Sequence, residues 1–233
     1  MPNKFSAFFK RGNRTGDEQE RMQREDDRRE REELDREREA LDRRAEITGK
    51  VKSDLWSALK NRDSVQKRFV CHADLIRIWD YSRVIVPLAQ GLDWGDQASL
   101  LLAQHYFLRV MSTLVWIGWD GWDNFGFEFL QHVDDRGVRI RTDKDLPFKD
   151  TSFLHTDPLI ISFQHDQHIF NPIVIVEDSP EEESEYVEYS DKHRLPFAYT
   201  KPIGRGGFGT VTKEEIPPLC FEFKNGSQNT MVL

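Results

Sequence analysis

The residues best suited to chemistry lie near the end of the chain, at Gly204-Arg205-Gly206-Gly207-Phe208-Gly209-Thr210-Val211. Gly204, Gly206 and Gly209 are spaced G-x-G-x-x-G, and Val211 extends this to G-x-G-x-x-G-x-V. Glycine at such positions lets backbone N–H groups approach a phosphate with no Cβ in the way. Dinucleotide-binding folds share the short pattern, so the flanking chain decides its use. In those folds the glycines open a helix whose N-terminus holds a pyrophosphate. Here Thr210, Val211 and Thr212 follow, β-branched and suited to a strand, and Pro217-Pro218 forbids a helix of useful length. The loop is therefore expected to join two strands as a hairpin. No Gly-Lys-Ser/Thr follows it, which excludes a Walker loop. Two other uses stay open: a single Arg-Gly-Gly element for RNA, and a turn that binds nothing.

Other reactive side chains are sparse. Cys71 and Cys220 are far apart in sequence and have no His or Cys at metal-ligand spacing. They describe no disulfide framework and suit a reducing compartment. His165 and His168 flank Asp166, but no third ligand follows at fixed spacing, whereas zinc sites take three or four donors. Surface histidines on a loop are the expectation, with no metal.

The phrase Ile203-Gly204-Arg205-Gly206-Gly207-Phe208-Gly209-Thr210-Val211, with its Leu195-Pro196-Phe197 lead-in and the acidic stretch before it, resembles the start of fungal-type eukaryotic protein kinases. The specific part of the resemblance covers Leu195 to Thr212. It implies an ATP-covering loop in which Ile203 and Val211 lie over the adenine, Gly204, Arg205, Gly206, Gly207 and Gly209 approach the phosphates, and Phe208 sits at the tip. The family activity would be ATP-dependent Ser/Thr phosphorylation of a protein substrate, with Mg²⁺. One departure is Thr212, where many kinases place an aromatic residue. The motifs H-R-D and D-F-G occur nowhere in these residues, so this chain alone is expected to be inactive. Lys224 is the one candidate for the ATP-pairing lysine. Asn225-Gly226 after it signals a hairpin turn, and Thr230 to Leu233 begins another strand, which reads as the approach to a third-strand lysine further on.

The elements that must position this loop differ sharply along the 233 residues. The formal charge is -8, which argues against nucleic acid as the main partner, since phosphate neutralisation needs an excess of Lys and Arg. Residues 1–16 read as a disordered basic tail, broken by Gly12, Asn13 and Gly16. Residues 17–50 are almost wholly Glu, Asp and Arg and read as a solvated charged helix. The pairs Glu20–Arg24, Glu25–Arg29, Glu32–Arg36 and Glu39–Arg43 stand at i,i+4, each adding about 0.2–0.5 kcal/mol to an isolated helix. Leu34 and Leu41 are seven apart, but the other seam position is charged, so a monomeric helix is expected over a coiled coil.

Residues 51–133 have helical spacing throughout, as in Leu55, Trp56 and Leu59 or Leu75, Ile76 and Trp79. A central apolar helix is expected from Ser99 to Ile117, capped near Asp96. Its run holds Gln104, His105 and Arg109, which argues against a membrane span. Trp116, Trp119 and Trp122 recur every third residue and read as core. Residues 134–176 read as an irregular α+β connector, with Leu159-Ile160-Ile161 and Ile173 to Val176 as short strand-like runs. Residues 177–194 form an acidic linker and the clearest boundary, and 195–233 a partial kinase N-lobe. The fold class expected is α+β: a charged helix, a mainly helical region, then antiparallel strands. Without a secretory signal, the compartment expected is cytoplasmic or nuclear. The alternative function is a non-enzymatic adaptor whose helical region recruits partner proteins.

Overall fold

The computed structural model describes residues 9–61, 64–134, 137, 140–176, 192–207, 209–222 and 231–232. The protein is α+β, and its chain forms two compact units, Met1–Ala45 and Glu46–Leu233.

The described residues of the first unit are helix. α1 (Phe9–Ala58) carries the charged stretch and begins ahead of it, so residues 9–16 are helical rather than disordered. Extending a formed helix adds one hydrogen bond per residue, and Gly12 and Gly16 tax that extension by about 1 kcal/mol each without stopping it. Glu20 and Arg24 pair at 3.4 Å as spaced, whereas Arg36 donates its Nε–H to the Glu32 carbonyl at 3.0 Å. Arg21–Glu25 and Arg28–Glu32 pair in the opposite order, and all of these groups are exposed. Leu34 and Leu41 are exposed too. A peptide of residues 17–46 should therefore be helical and monomeric, and should lose helicity as salt screens its pairs. A salt-resistant dimer in sedimentation would contradict this.

In the second unit, the last turns of α1 bury Val51, Leu55 and Ala58 at the expected helical spacing. They meet a core dominated by aromatics, with Trp79, Trp94, Phe107, Phe125, Phe129, Phe153, Phe163 and Phe170 fully buried. The polar ends of two buried indoles find partners. Trp79 donates to Ser112 Oγ at 2.8 Å, and Trp94 to the Trp122 carbonyl at 2.9 Å. Trp119 and Trp122 are core as expected, while Trp116 is half-buried and stacks on Trp56.

The helices after α1 are short: α2 (His72–Ile78), a π turn (Tyr81–Ile85), α3 (Val86–Leu88), α4 (Gln97–Tyr106) and α5 (Leu108–Ile117). A 3₁₀ turn (Trp122–Asn124) and a second π turn (Gly126–Leu130) follow. Asp96 caps α4 as expected, accepting from the N–H groups of Ala98 and Ser99. Gly118 ends α5 in the left-handed conformation that glycine adopts without strain.

The single helix expected from Ser99 to Ile117 is instead two, bent by 85° at Phe107. Asp143 holds that corner. Its N–H donates to the Tyr106 carbonyl at 2.8 Å, and its carboxylate accepts from the N–H groups of Arg109 and Val110 at 2.9 Å each. It thus satisfies the end of one helix and caps the next from 34 residues away. Among the described residues, no single helix is long and apolar enough to cross a membrane.

The segment Leu159-Ile160-Ile161, expected as a strand, lies in α6 (Asp157–Phe170). Pro158 falls in the first turn, where proline's missing N–H costs nothing, so Asp157-Pro158 starts a helix rather than breaking one. His165 and His168 are therefore on a helix, not a loop: His165 is exposed and bonded to Asp166 at 2.8 Å, and His168 is buried.

The strands are β1 (Ile175–Val176), β2 (Tyr199–Gly206), β3 (Gly209–Ile216), β4 (Phe221–Glu222) and β5 (Met231–Val232). β1 and β4 pair in parallel, and β2-β3-β5 form an antiparallel sheet. The acidic segment does not separate two bodies: the division falls after Ala45, and 46–233 is one unit. Packing explains this. Phe69 and Cys71 bury against Ile216, Cys220 and Phe221 from beyond the acidic stretch, and Asn61 donates to the Phe197 carbonyl at 2.6 Å. The Ile173 N–H also reaches the Arg194 carbonyl at 2.9 Å. Of the acidic stretch itself, 177–191 lie outside the described residues.

Candidate functional site

The glycine motif sits where β2 turns into β3. The strands are antiparallel in the register Gly204 opposite Val211, Arg205 opposite Thr210 and Gly206 opposite Gly209. The hairpin expected from the β-branched residues after the glycines is present. Ile203 is the extra residue of a bulge between Pro202 and Gly204, which raises the local twist just before the first glycine. Gly207 lies in the turn; Phe208 and Lys224 lie outside the described residues.

Packing among the described residues does not demand these glycines. A Cβ built on Gly204, Gly206 or Gly207 would have nothing within 4 Å. Gly209 alone has a backbone reason, with φ at +149°. Ile203, Arg205 and Val211 are exposed, so among the described residues the loop lies on an open surface.

The two faces of the hairpin differ. Side chains alternate along a strand, so Val211, Lys213 and Glu215 share one face of β3, and Thr212, Glu214 and Ile216 share the other. The first set is exposed. On the second, Ile216 is buried against Phe69 and Cys71, and Glu214 accepts a short hydrogen bond from the Thr200 hydroxyl opposite. Beside that pair is a cleft of about 610 Å³, lined by Asn61, Lys67, Leu195, Phe197, Thr200 and Glu214 among others. It therefore lies by the covered face, away from Val211. No sequence pattern announces it, because its walls come from segments more than a hundred residues apart.

The titratable groups brought together elsewhere are structural. Arg141 reaches Glu128, Asp150 and Ser152 at 2.9 Å and lies 5.3 Å from the Phe153 ring centre. Burial pushes the Asp143 carboxyl up to about 6, opposed by its backbone hydrogen bonds and by Arg109. Burial, then the charges of His193, Arg194 and Lys192, lowers His168 to about 4, and its buried Nδ1 has no hydrogen-bond partner among the described residues. Among the described residues, no group of three His, Cys, Asp or Glu could hold a metal ion. The two cysteines, far apart in sequence, meet in one buried cluster with Phe69, Ile216 and Phe221.

No family model matches the chain, and neither a curated protein nor a solved structure is significantly similar to it.

Proposed function

We propose that residues 195–233 are the opening strands of a eukaryotic-type Ser/Thr protein kinase N-lobe, with the β2–β3 turn as its ATP-covering loop. The observation that carries the reading is that packing among the described residues does not require Gly204, Gly206 or Gly207. Close approach of backbone N–H groups to a phosphate does require them. The topology supports it: β5 pairs antiparallel with β3, with Met231 opposite Ile216, as a third strand of such a lobe would. Ile203 and Val211 are exposed aliphatic side chains beside the turn, suited to cover an adenine ring. The partners on this reading are ATP with Mg²⁺ and, in the whole family, a protein substrate. Residues 46–176 then serve as a helical platform on which the covered face of the hairpin rests.

Titrating the protein with Mg-ATP should shift the amide NMR signals of Gly204, Gly206, Gly207 and Gly209, with weak, millimolar affinity. Gly206→Val should abolish the shifts, since its side chain would occupy the phosphates' approach. Loop signals that stay still at saturating ATP would remove the nucleotide reading and leave a bare turn. Turnover should be absent, because these residues contain no H-R-D or D-F-G.

A further inference from the structure

We propose that Cys71 and Cys220 form a reversible intramolecular disulfide, a peroxide-responsive modification site that clamps the strand segment onto the helical platform. Both are free, buried thiols that meet in one small cluster with Phe69, Ile216 and Phe221. Their backbones are held from both sides. The Ile175 N–H donates to the Cys220 carbonyl at 3.0 Å, and Val70, next to Cys71, donates to the Ile169 carbonyl at 2.9 Å. This pairing is independent of the nucleotide reading.

The two thiols are not equivalent. Interaction with Cys71 lowers the pKa of the Cys220 thiol against the opposing effect of its burial, with the charge of Arg109 adding to the lowering, whereas interaction with Cys220 and burial both raise that of Cys71. Cys220 is thus the attacking sulfur and Cys71 the resolving one. The oxidant is a hydroperoxide. The Cys220 thiolate attacks one peroxide oxygen, the O–O bond breaks, and a sulfenic acid and hydroxide result. The Cys71 sulfur then attacks the sulfenic sulfur, the S–O bond breaks, and the thiol proton leaves with the hydroxyl as water. Both thiols are oxidised by two electrons in all, and the peroxide, with the two thiol protons, becomes two waters.

The test is mass spectrometry of the whole protein treated with a small excess of hydrogen peroxide. The expected result is a loss of about 2 Da in a monomer, reversed by dithiothreitol. Non-reduced digests should contain the Cys71 peptide joined to the Cys220 peptide. Cys71→Ser should stop at a sulfenic acid on Cys220 that dimedone traps, and Cys220→Ser should react at least about tenfold more slowly. If a variant fails to fold, the wild-type peptide map still decides. An unchanged mass, oxygen addition without the mass loss, or cross-links only between chains would each overturn the proposal.

Discussion

Phe129→Ala is expected to lower the unfolding free energy by about 3–5 kcal/mol, the range for emptying a fully buried aromatic position. Phe129 lies in the second π turn, and its ring packs 5.0 Å from both Phe125 and Phe153 and about 6 Å from Phe107 and Trp119. Those neighbours come from four different segments, so no single one can collapse into the space. Close approach on the other side limits relaxation as well: a Cβ on Gly126 would stand 3.0 Å from the Trp94 Cβ. Phe127, two residues earlier and 66 % exposed, supplies the control, and Phe127→Ala should change stability by under about 0.5 kcal/mol. Urea denaturation of both variants measures the difference. A loss below about 1 kcal/mol at Phe129 would mean that the aromatic cluster is not the core described.

Asp143→Ala is expected to cost about 2–3 kcal/mol, since it removes a cap and orphans the N–H groups of Arg109 and Val110 at the α4–α5 corner. Asp143→Asn should cost less, because the amide oxygen still accepts. The same residue shapes the response to pH. The folded-state pKa of Asp143 is raised to about 6, so between about 4 and 6 the folded protein binds more protons than the unfolded chain. Its contribution falls as pH rises through that window. His168 acts oppositely. Its folded pKa is lowered to about 4, so its contribution is full above the unfolded value near 6.5 and is lost as pH falls toward 4. His72, lowered by burial and by Arg109, adds to the histidine side. The two trends offset each other in the wild type between about pH 4 and 6. Asp143→Asn should leave stability rising steeply with pH there, and His168→Gln should weaken or reverse that rise. Parallel pH profiles for all three proteins would refute the assignment.

What could be read without coordinates was local. Asp96 before an apolar run and β-branched residues behind the glycines each act on their nearest neighbours, and each does so in the structure. What could not be read was set from a distance. The corner at Phe107 depends on a cap supplied by Asp143, and nothing in Ser99 to Ile117 hints at it. Leu159 to Ile161 has strand-like residues, but its environment is the groove beside α5, where helical packing outweighs a weak β preference. The thiol pair and the cleft beside Glu214 join segments too far apart for spacing to carry any signal. The hairpin's shape was legible, while its support by the helical platform was not.

The small cluster around Phe69 and Cys71 also sets an order of assembly. Its other half, Ile216, Cys220 and Phe221, lies about 150 residues later. At a synthesis rate of about 5–20 residues per second, the first half waits roughly 8–30 s on the ribosome for the second. During that interval the aromatic core can close around α4 and α5, whose contacts are nearer in sequence. Phe69 and the Cys71 thiol meanwhile lack the later half of their cluster, which leaves them open to chaperones and to premature oxidation.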